Sequence, residues 1–184
     1  MKMNTLTTAT SLMILGLLAS APSFAATKAE LDASAKKALE HFYTLGSMNK
    51  ELVGKAAGIL IFPTVTKAGA GVAGEYGEGV LQVKGKTVDY YSVSSASVGV
   101  TLGVGTHTEM IMFMTKEALD KFTNSDGWSV GADTAIAVVT QGAGGEYDSQ
   151  TLGKPILGFI FSQKGLIGDL SFEGAKISKI KTQN

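Results

Sequence analysis

The fold of this chain is decided by the stretch GILIFPTVTKAGAGVAGEYGEGVLQV, which runs from Gly58 to Val83. Within it, Gly69-Ala70-Gly71-Val72-Ala73-Gly74 matches the G-x-G-x-x-G pattern of dinucleotide-binding proteins. In that pattern the glycines open a helix, whose first amide groups bind a pyrophosphate. Here Gly77 and Gly79 follow at once, and glycine costs about 1 kcal/mol per residue inside a helix. The stretch therefore predicts curved or bulged β-strands, not a nucleotide site.

Most of the chain after position 58 shows the short apolar or alternating runs that are typical of strands. Lys84, Gly85 and Lys86 interrupt these runs and predict a hairpin turn. The predicted strands cover residues 58–62, 71–76, 80–84, 87–94, 97–103, 109–114, 128–130, 135–140, 156–162, 168–172 and 175–180.

Helices are predicted mainly before the first strand. Thr27-Lys28-Ala29-Glu30 has the form of a capping box, and apolar residues then recur at helical spacing. Gly46 follows this pattern and is predicted to end the helix in the left-handed conformation. Two shorter helices are predicted over residues 50–57 and 116–123, the latter capped by Thr115. The predicted fold class is α+β, with N-terminal helices packed on a strongly curved, mainly antiparallel sheet or barrel.

The N-terminus has the features of a secretory signal peptide. Lys2 precedes a short apolar run, and Ser23-Phe24-Ala25 forms a small-x-small cleavage site. The run is shorter than the roughly 20 residues that span a bilayer, and no cysteine follows it for acylation. We therefore predict a signal peptide over residues 1–25, cleaved after Ala25, and a single periplasmic domain over residues 26–184 that is neither a lipoprotein nor a transmembrane protein.

Composition argues against several classes of function. The chain has no cysteine, so disulfides and thiolate metal sites are excluded. Its net charge is zero and all its basic residues are lysines, whereas nucleic-acid-binding proteins usually have a basic excess that includes arginine. A nucleic-acid partner is therefore not expected.

Candidates for catalysis are few. His107 and Glu109 are two apart, so they share a face if the segment is a strand. One imidazole and one carboxylate are fewer than the three or four ligands of a usual metal site, and His41 is distant in sequence. No G-x-S-x-G motif surrounds any serine. We expect no enzymatic activity, no catalytic residue, no metal and no cofactor.

Residues that favour contact with lipid are lysines and amphipathic aromatic side chains near turns and strand ends. The candidates for lipid binding are Lys67, Lys84, Lys86, Tyr90 and Tyr91. Adjacent residues on a strand face opposite ways, so at most one of the two tyrosines faces the core. Trp128 is expected to fill the core.

Four segments together resemble the SYLF domain family, a lipid-binding module whose eukaryotic members also bind actin at endocytic membranes. They are ILIFPTVTKAGAGVAGEYGEGVL, KGKTVDYYSVSSASVGVTLGVG, EMIMFMTKEALDKFTNSDGWSVGAD and KPILGFIFSQKGLIGDLSFEGAKISKI, and the resemblance as a whole covers roughly residues 52–180. The resemblance implies binding of anionic phospholipid or a membrane surface. The predicted export removes actin as a partner. An envelope module that binds another protein and no lipid is the alternative, and the oligomeric state stays open.

Overall fold

The computed structural model describes residues 26–125, 127–131, 136–140, 149–165 and 170–182. Its helices and strands confirm the predicted α+β class with N-terminal helices and a strongly curved sheet. The helices are α1 (Lys28–Leu45), α2 (Asn49–Lys55), α3 (Lys116–Thr123) and α4 (Ser149–Leu152). The strands are β1 (Gly58–Val83), β2 (Lys86–Phe113), β3 (Trp128–Ser129), β4 (Ala137–Thr140), β5 (Ile156–Gly165) and β6 (Lys176–Lys179). The predicted signal peptide lies outside the described residues and stays a prediction.

Helix α1 begins at the predicted capping box. The Thr27 hydroxyl accepts from the Glu30 amide, and the Glu30 carboxylate accepts from the Thr27 amide at 2.9 Å. The prediction for Gly46 was wrong, because its φ of −165° is extended and not left-handed. The C-terminal end of the helix is capped instead by Asn49, whose side-chain amide donates to the carbonyl of Phe42 at 2.7 Å.

The other two predicted helices are also present. Helix α3 has its predicted bounds, and the Thr115 hydroxyl accepts from the Ala118 amide. Helix α2 ends earlier than predicted, because the Ala57 amide already donates to the carbonyl of Phe113 in the sheet, at 2.8 Å. Among the described residues, no helix combines the length and the hydropathy needed to cross a bilayer.

Strands β1 and β2 form one long antiparallel hairpin. The six separate strands predicted between residues 58 and 114 are merged into these two, with register shifts after Phe62, Ala70 and Leu81. The predicted turn is confirmed: Lys84 and Gly85 have φ values of 52° and 73°, and positive φ at both positions is typical of a two-residue type I′ turn. The glycine-rich stretch is strand throughout, which confirms the prediction against a helix.

Strand β1 curls until its two halves touch. A Cβ at Gly79 would lie 2.2 Å from the carbonyl oxygen of Ile61, and one at Gly77 would lie 2.8 Å from the Val65 side chain. Only glycine allows so close an approach at these positions. The curl carries the second half of β1 back over the first half, and so brings Glu75 towards the last part of β2.

The remaining strands extend the hairpin on the far edge of β2. Its first part pairs with β6 and its last part with β5, so the strand order is β3-β6-β2-β5-β4, with β1 along the other edge of β2. The pairs of β2 are antiparallel, and β4 joins β5 in parallel. The predicted strand at 168–172 was wrong for residues 170–172, because Phe172 packs across Gly158 as part of an irregular segment.

The sheet has a hydrophobic cluster on each face. One cluster packs under α1 and α2 around Phe42, Met110 and Phe159. The other lies under α3 around Phe113, Phe122 and Trp128, which confirms the expectation that Trp128 fills the core. Helices α1 and α3 therefore cover opposite faces of the sheet.

Candidate functional site

Three ionisable side chains meet inside the curled hairpin. Nε2 of His107 lies 2.9 Å from Oε1 of Glu75 and 3.0 Å from Oε1 of Glu109. Glu75, His107 and Glu109 are 8%, 2% and 1% exposed, respectively. The sequence predicted the proximity of His107 and Glu109, and this is confirmed. Glu75 was missed because its approach depends on the curl of β1, which no local pattern reveals. We refer to these three residues as the buried cluster.

Hydrogen bonds satisfy the buried cluster only in part. Nε2 of His107 is hydrogen-bonded to Glu109 Oε1, and the Ser95 hydroxyl donates to Glu75 Oε2 at 2.8 Å. Glu75 Oε1, Glu109 Oε2 and His107 Nδ1 are buried and have no hydrogen-bond partner in the described part of the chain. A ring nitrogen carries a single hydrogen, so Nε2 cannot serve two carboxylates with full hydrogen bonds. Buried polar atoms without partners cost about 1–3 kcal/mol each.

The surroundings shift the pKa values of all three groups. Burial lowers the pKa of His107, but its hydrogen bond with Glu109 and its close contact with the Glu75 carboxylate outweigh this effect and raise the pKa to about 9. Burial raises the pKa of Glu109 above its usual range. Burial acts in the same direction on Glu75, but the close contact with His107 and the hydrogen bond from Ser95 prevail and lower its pKa. The buried Lys67 ammonium also lowers the pKa of Glu75. The two carboxylates of the buried cluster therefore stabilise positive charge at the position of His107 between them.

A second feature is a groove of about 350 Å³ between α1 and the edge where β1, β2 and β5 meet. Its floor is shaped by a bulge, since the β2–β5 register shifts between Thr106 and Thr108 and Ser162 adopts a φ of 57°. We call it the lysine groove, and it is lined by Ser34, Lys37, Ala38, His41, Pro63, Thr64, Thr108, Ser162 and Lys164.

The lysine groove is basic. Lys37 and Lys164 are exposed, and within the described ranges neither forms an ion pair. By contrast, Lys36 pairs with Glu40 on the same helix. None of the described residues that line the groove carries a carboxylate, and several of them present serine and threonine hydroxyls. It therefore offers two ammonium groups and several hydrogen-bond donors to an anion.

The sequence did not indicate the lysine groove, although one signal was available. Lys36 has Glu40 four residues on, whereas the neighbours of Lys37 at that spacing are Ala33 and His41. Glu40 lies three residues after Lys37 but pairs with Lys36, which leaves the Lys37 ammonium available to an external anion. The contribution of Lys164 depends on the β2–β5 bulge and could not be predicted.

The structure separates the two tyrosines proposed for lipid contact. Tyr91 is buried against Phe122, with ring centroids 4.9 Å apart, and burial raises its pKa to about 12. This burial removes Tyr91 from any surface contact. Tyr90 is half-buried, and its hydroxyl donates to Asp32 Oδ2 at 3.2 Å.

The three lysines proposed for lipid contact are also separated. Lys67 lies buried beside Glu75, whereas Lys84 and Lys86 are exposed at the hairpin turn. Lys84 borders a mainly apolar cavity of about 280 Å³ between the turn and the first two helices. The five sequence-predicted residues therefore do not share one surface.

Exposed valines lie where the hairpin bends. Val72, Val98 and Val104 are 63%, 87% and 65% exposed, respectively, and Val72 is the register partner of Val98. Val104 lies two residues before Thr106, which pairs with Lys164 of the lysine groove. The exposed Val104 next to the strand pair that carries the exposed Lys164 is a combination that suits a membrane surface.

A family model described as Ysc84, Las17-binding protein actin regulator, matches residues 94–184, and this model represents the SYLF domain. The matched region includes most of β2 and everything after it, and so contains His107, Glu109 and Lys164. Helix α1 and strand β1, which supply Lys37 and Glu75, precede it. No curated protein matches the chain.

Proposed function

Because this chain belongs to the SYLF domain family, we propose that it binds phospholipid head groups at a membrane surface through the lysine groove. The observation that carries the proposal is the pair of exposed lysines, Lys37 and Lys164, which no carboxylate neutralises within the described ranges. The family is one of lipid-binding and actin-regulating domains. The lipid role agrees with this groove.

The electrostatics of the groove favour an anionic head group. Each lysine near an anionic membrane contributes about 1 kcal/mol of attraction. Hydroxyls of Ser34 and Thr64 line the same groove and can donate to phosphate oxygens. The volume of about 350 Å³ is at the lower end of the range for small-molecule sites, about 300–1,000 Å³. A single head group is therefore an appropriate occupant.

The valines give the same surface a second means of attachment. Val104 is close in the sheet to the strand pair that carries Lys164, so apolar and basic groups are presented side by side. Burying apolar area in lipid is favourable by about 25 cal/mol per Å². We propose a peripheral mode of attachment in which the lysines meet head groups and the valines reach the acyl boundary.

The proposed location is the bacterial envelope, and the proposed role is non-enzymatic. Support for the location comes from the predicted signal peptide over residues 1–25. Support for a binding role comes from the sequence, which lacks the motif of a serine nucleophile. In this compartment the ligand is envelope phospholipid, and actin is not a partner.

Vesicle flotation tests the proposal. Residues 26–184 are mixed with vesicles of phosphatidylcholine, with or without phosphatidylglycerol, at low salt. We expect flotation with the anionic vesicles, and a loss of at least about 10-fold in affinity for the double variant Lys37→Gln with Lys164→Gln, since two lysines contribute about 2 kcal/mol.

A matched control is Lys116→Gln with Lys121→Gln. It removes the same charge from exposed positions on α3, which covers the opposite face of the sheet. The control is expected to float like the unmodified chain. An equal loss of vesicle affinity in both double variants would show that net charge alone determines binding, and would reject the lysine groove as the binding site. Absence of flotation with either kind of vesicle would reject lipid binding and leave the protein-interaction module as the better hypothesis.

A further inference from the structure

We propose that the buried cluster of Glu75, His107 and Glu109 is a binding site for a divalent transition-metal ion of the zinc type. The inference is independent of the lysine groove, because it concerns the interior of the curled hairpin. It extends the sequence expectation, in which His107 and Glu109 alone were too few to hold a metal.

The spacing of the three ligand atoms fits a common central ion. One atom from each side chain lies within 4.8 Å of the others, and the two measured nitrogen–oxygen distances are 2.9 and 3.0 Å. Zinc bonds to imidazole nitrogen and carboxylate oxygen are about 2.0–2.2 Å long, which places neighbouring ligand atoms of a tetrahedral site about 3.4 Å apart, so each measured distance would have to open by about 0.5 Å. Little rearrangement is therefore needed for an ion to be coordinated.

The atoms without partners point to an ion and not only to a hydrogen bond. Glu75 Oε1 faces His107 Nε2 at 2.9 Å but receives no hydrogen bond, because the ring nitrogen is hydrogen-bonded to Glu109. Glu109 Oε2 is likewise buried without a partner in the described part of the chain. A metal ion accepts electron pairs from all three side chains at once, which a single N–H group cannot do.

The ligand types select the class of metal. Magnesium and calcium prefer sites made of oxygen atoms alone, whereas an imidazole with carboxylates suits zinc and neighbouring transition metals. Three protein ligands leave a fourth position, which Glu109 Oε2 or a water molecule can fill. Ser95 holds Glu75 by a hydrogen bond to its other oxygen, as outer partners commonly orient ligating carboxylates.

Lys67 is the main electrostatic competitor of the ion. It is buried on β1, two residues after Val65, the register partner of His107, and so supplies on the same face of the hairpin positive charge that a metal would otherwise provide. Replacing Lys67 with Met keeps the length and apolar character of the side chain but removes this charge. We therefore expect Lys67→Met to bind the metal more tightly than the unmodified chain.

The test uses residues 26–184 treated with a chelator and then titrated with Zn²⁺ by calorimetry. We expect one ion per chain and a melting temperature that rises with Zn²⁺ concentration. Cobalt(II) serves as a spectroscopic probe on the unmodified chain, and visible absorption typical of four- or five-coordinate cobalt is the expected result. This measurement does not depend on whether any variant folds.

Variants assign the site. Glu109→Gln and His107→Gln are expected to weaken Zn²⁺ binding by at least about 100-fold, since loss of even an outer partner costs about 10–100-fold. Glu117→Gln, which alters an exposed carboxylate on α3, is expected to bind Zn²⁺ normally. Lack of stoichiometric Zn²⁺ binding, or binding that persists unchanged in both ligand variants, would overturn the proposal.

Discussion

Gly79 on β1 lies against the carbonyl oxygen of Ile61 on the same strand, so closely that a Cβ at position 79 would be only 2.2 Å from that oxygen. This contact allows the strand to curl over itself. Gly79→Ala therefore forces the backbone at position 79 away from the backbone at Ile61, and we expect a loss of about 3 kcal/mol in the free energy of unfolding. Urea unfolding followed by the fluorescence of the buried Trp128 measures it.

Gly74→Ala is the matched control for that substitution. It lies on the same strand, and a Cβ there would meet no atom within 4 Å. We expect its unfolding free energy to stay within about 0.5 kcal/mol of the unmodified value. Equal destabilisation by the two substitutions would show that β1 needs flexibility at its glycines, not close backbone contact.

The hairpin turn offers a stabilising substitution. Lys84 has a φ of 52°, a conformation that lysine disfavours, and Gly85 follows it with a φ of 73°. Lys84→Asn creates Asn-Gly, the preferred pair for a type I′ turn, and should raise the free energy of unfolding by about 0.5–1 kcal/mol. Thermal and urea unfolding measure the gain.

Lys86→Asn is the control for charge at the same turn, because it removes a lysine outside the two positive-φ positions. Stabilisation by Lys86→Asn and not by Lys84→Asn would contradict the assignment of the turn type.

Glu30 should make the stability of α1 depend on pH. A backbone hydrogen bond from Thr27 is the main cause that lowers the pKa of Glu30 from its usual value of 4.5. A lowered folded-state pKa means that the stabilisation is present above pH 4.5 and is lost as the pH falls through the folded-state pKa. We expect Glu30→Gln to melt below the unmodified chain at pH 7, and the difference to fade as the pH falls below 4.5. A difference that stays constant over this range would contradict the charged capping box.

Local signals predicted the parts of the fold that local contacts build. The capping box at Thr27 and Glu30 and the turn at Lys84 and Gly85 involve residues within three positions of one another, so sequence spacing was sufficient to find them. Gly46 was predicted wrongly because the end of α1 is bound by Asn49, whose side chain competes with a left-handed residue for the Phe42 carbonyl. The sequence spacing does not show whether α1 ends with a left-handed glycine or with a side-chain cap.

The candidate sites depend on contacts that sequence patterns do not record. His107 and Glu109 were predicted to pair because residues two apart share a face of a strand, and they do. Glu75 joins them only because Gly77 and Gly79 let β1 curl. The alternation rule predicted that at most one of the adjacent tyrosines faces the core, but the side that α3 covers had to be known before Tyr91 could be chosen.

Salt should separate the two means of membrane attachment that we propose. Attraction between lysines and anionic head groups is screened at high ionic strength, since the Debye length falls to about 3 Å at 1 M salt. Burial of valine side chains is not weakened in this way. We therefore expect Val98→Ser with Val104→Ser to lower flotation with phosphatidylglycerol vesicles proportionally more at high salt than at low salt. Both valines are largely exposed, so the melting temperature of this variant should match that of the unmodified chain and report intact folding. Flotation that falls equally at both salt concentrations, or not at all, would show that the valines do not enter the membrane and that attachment is electrostatic alone.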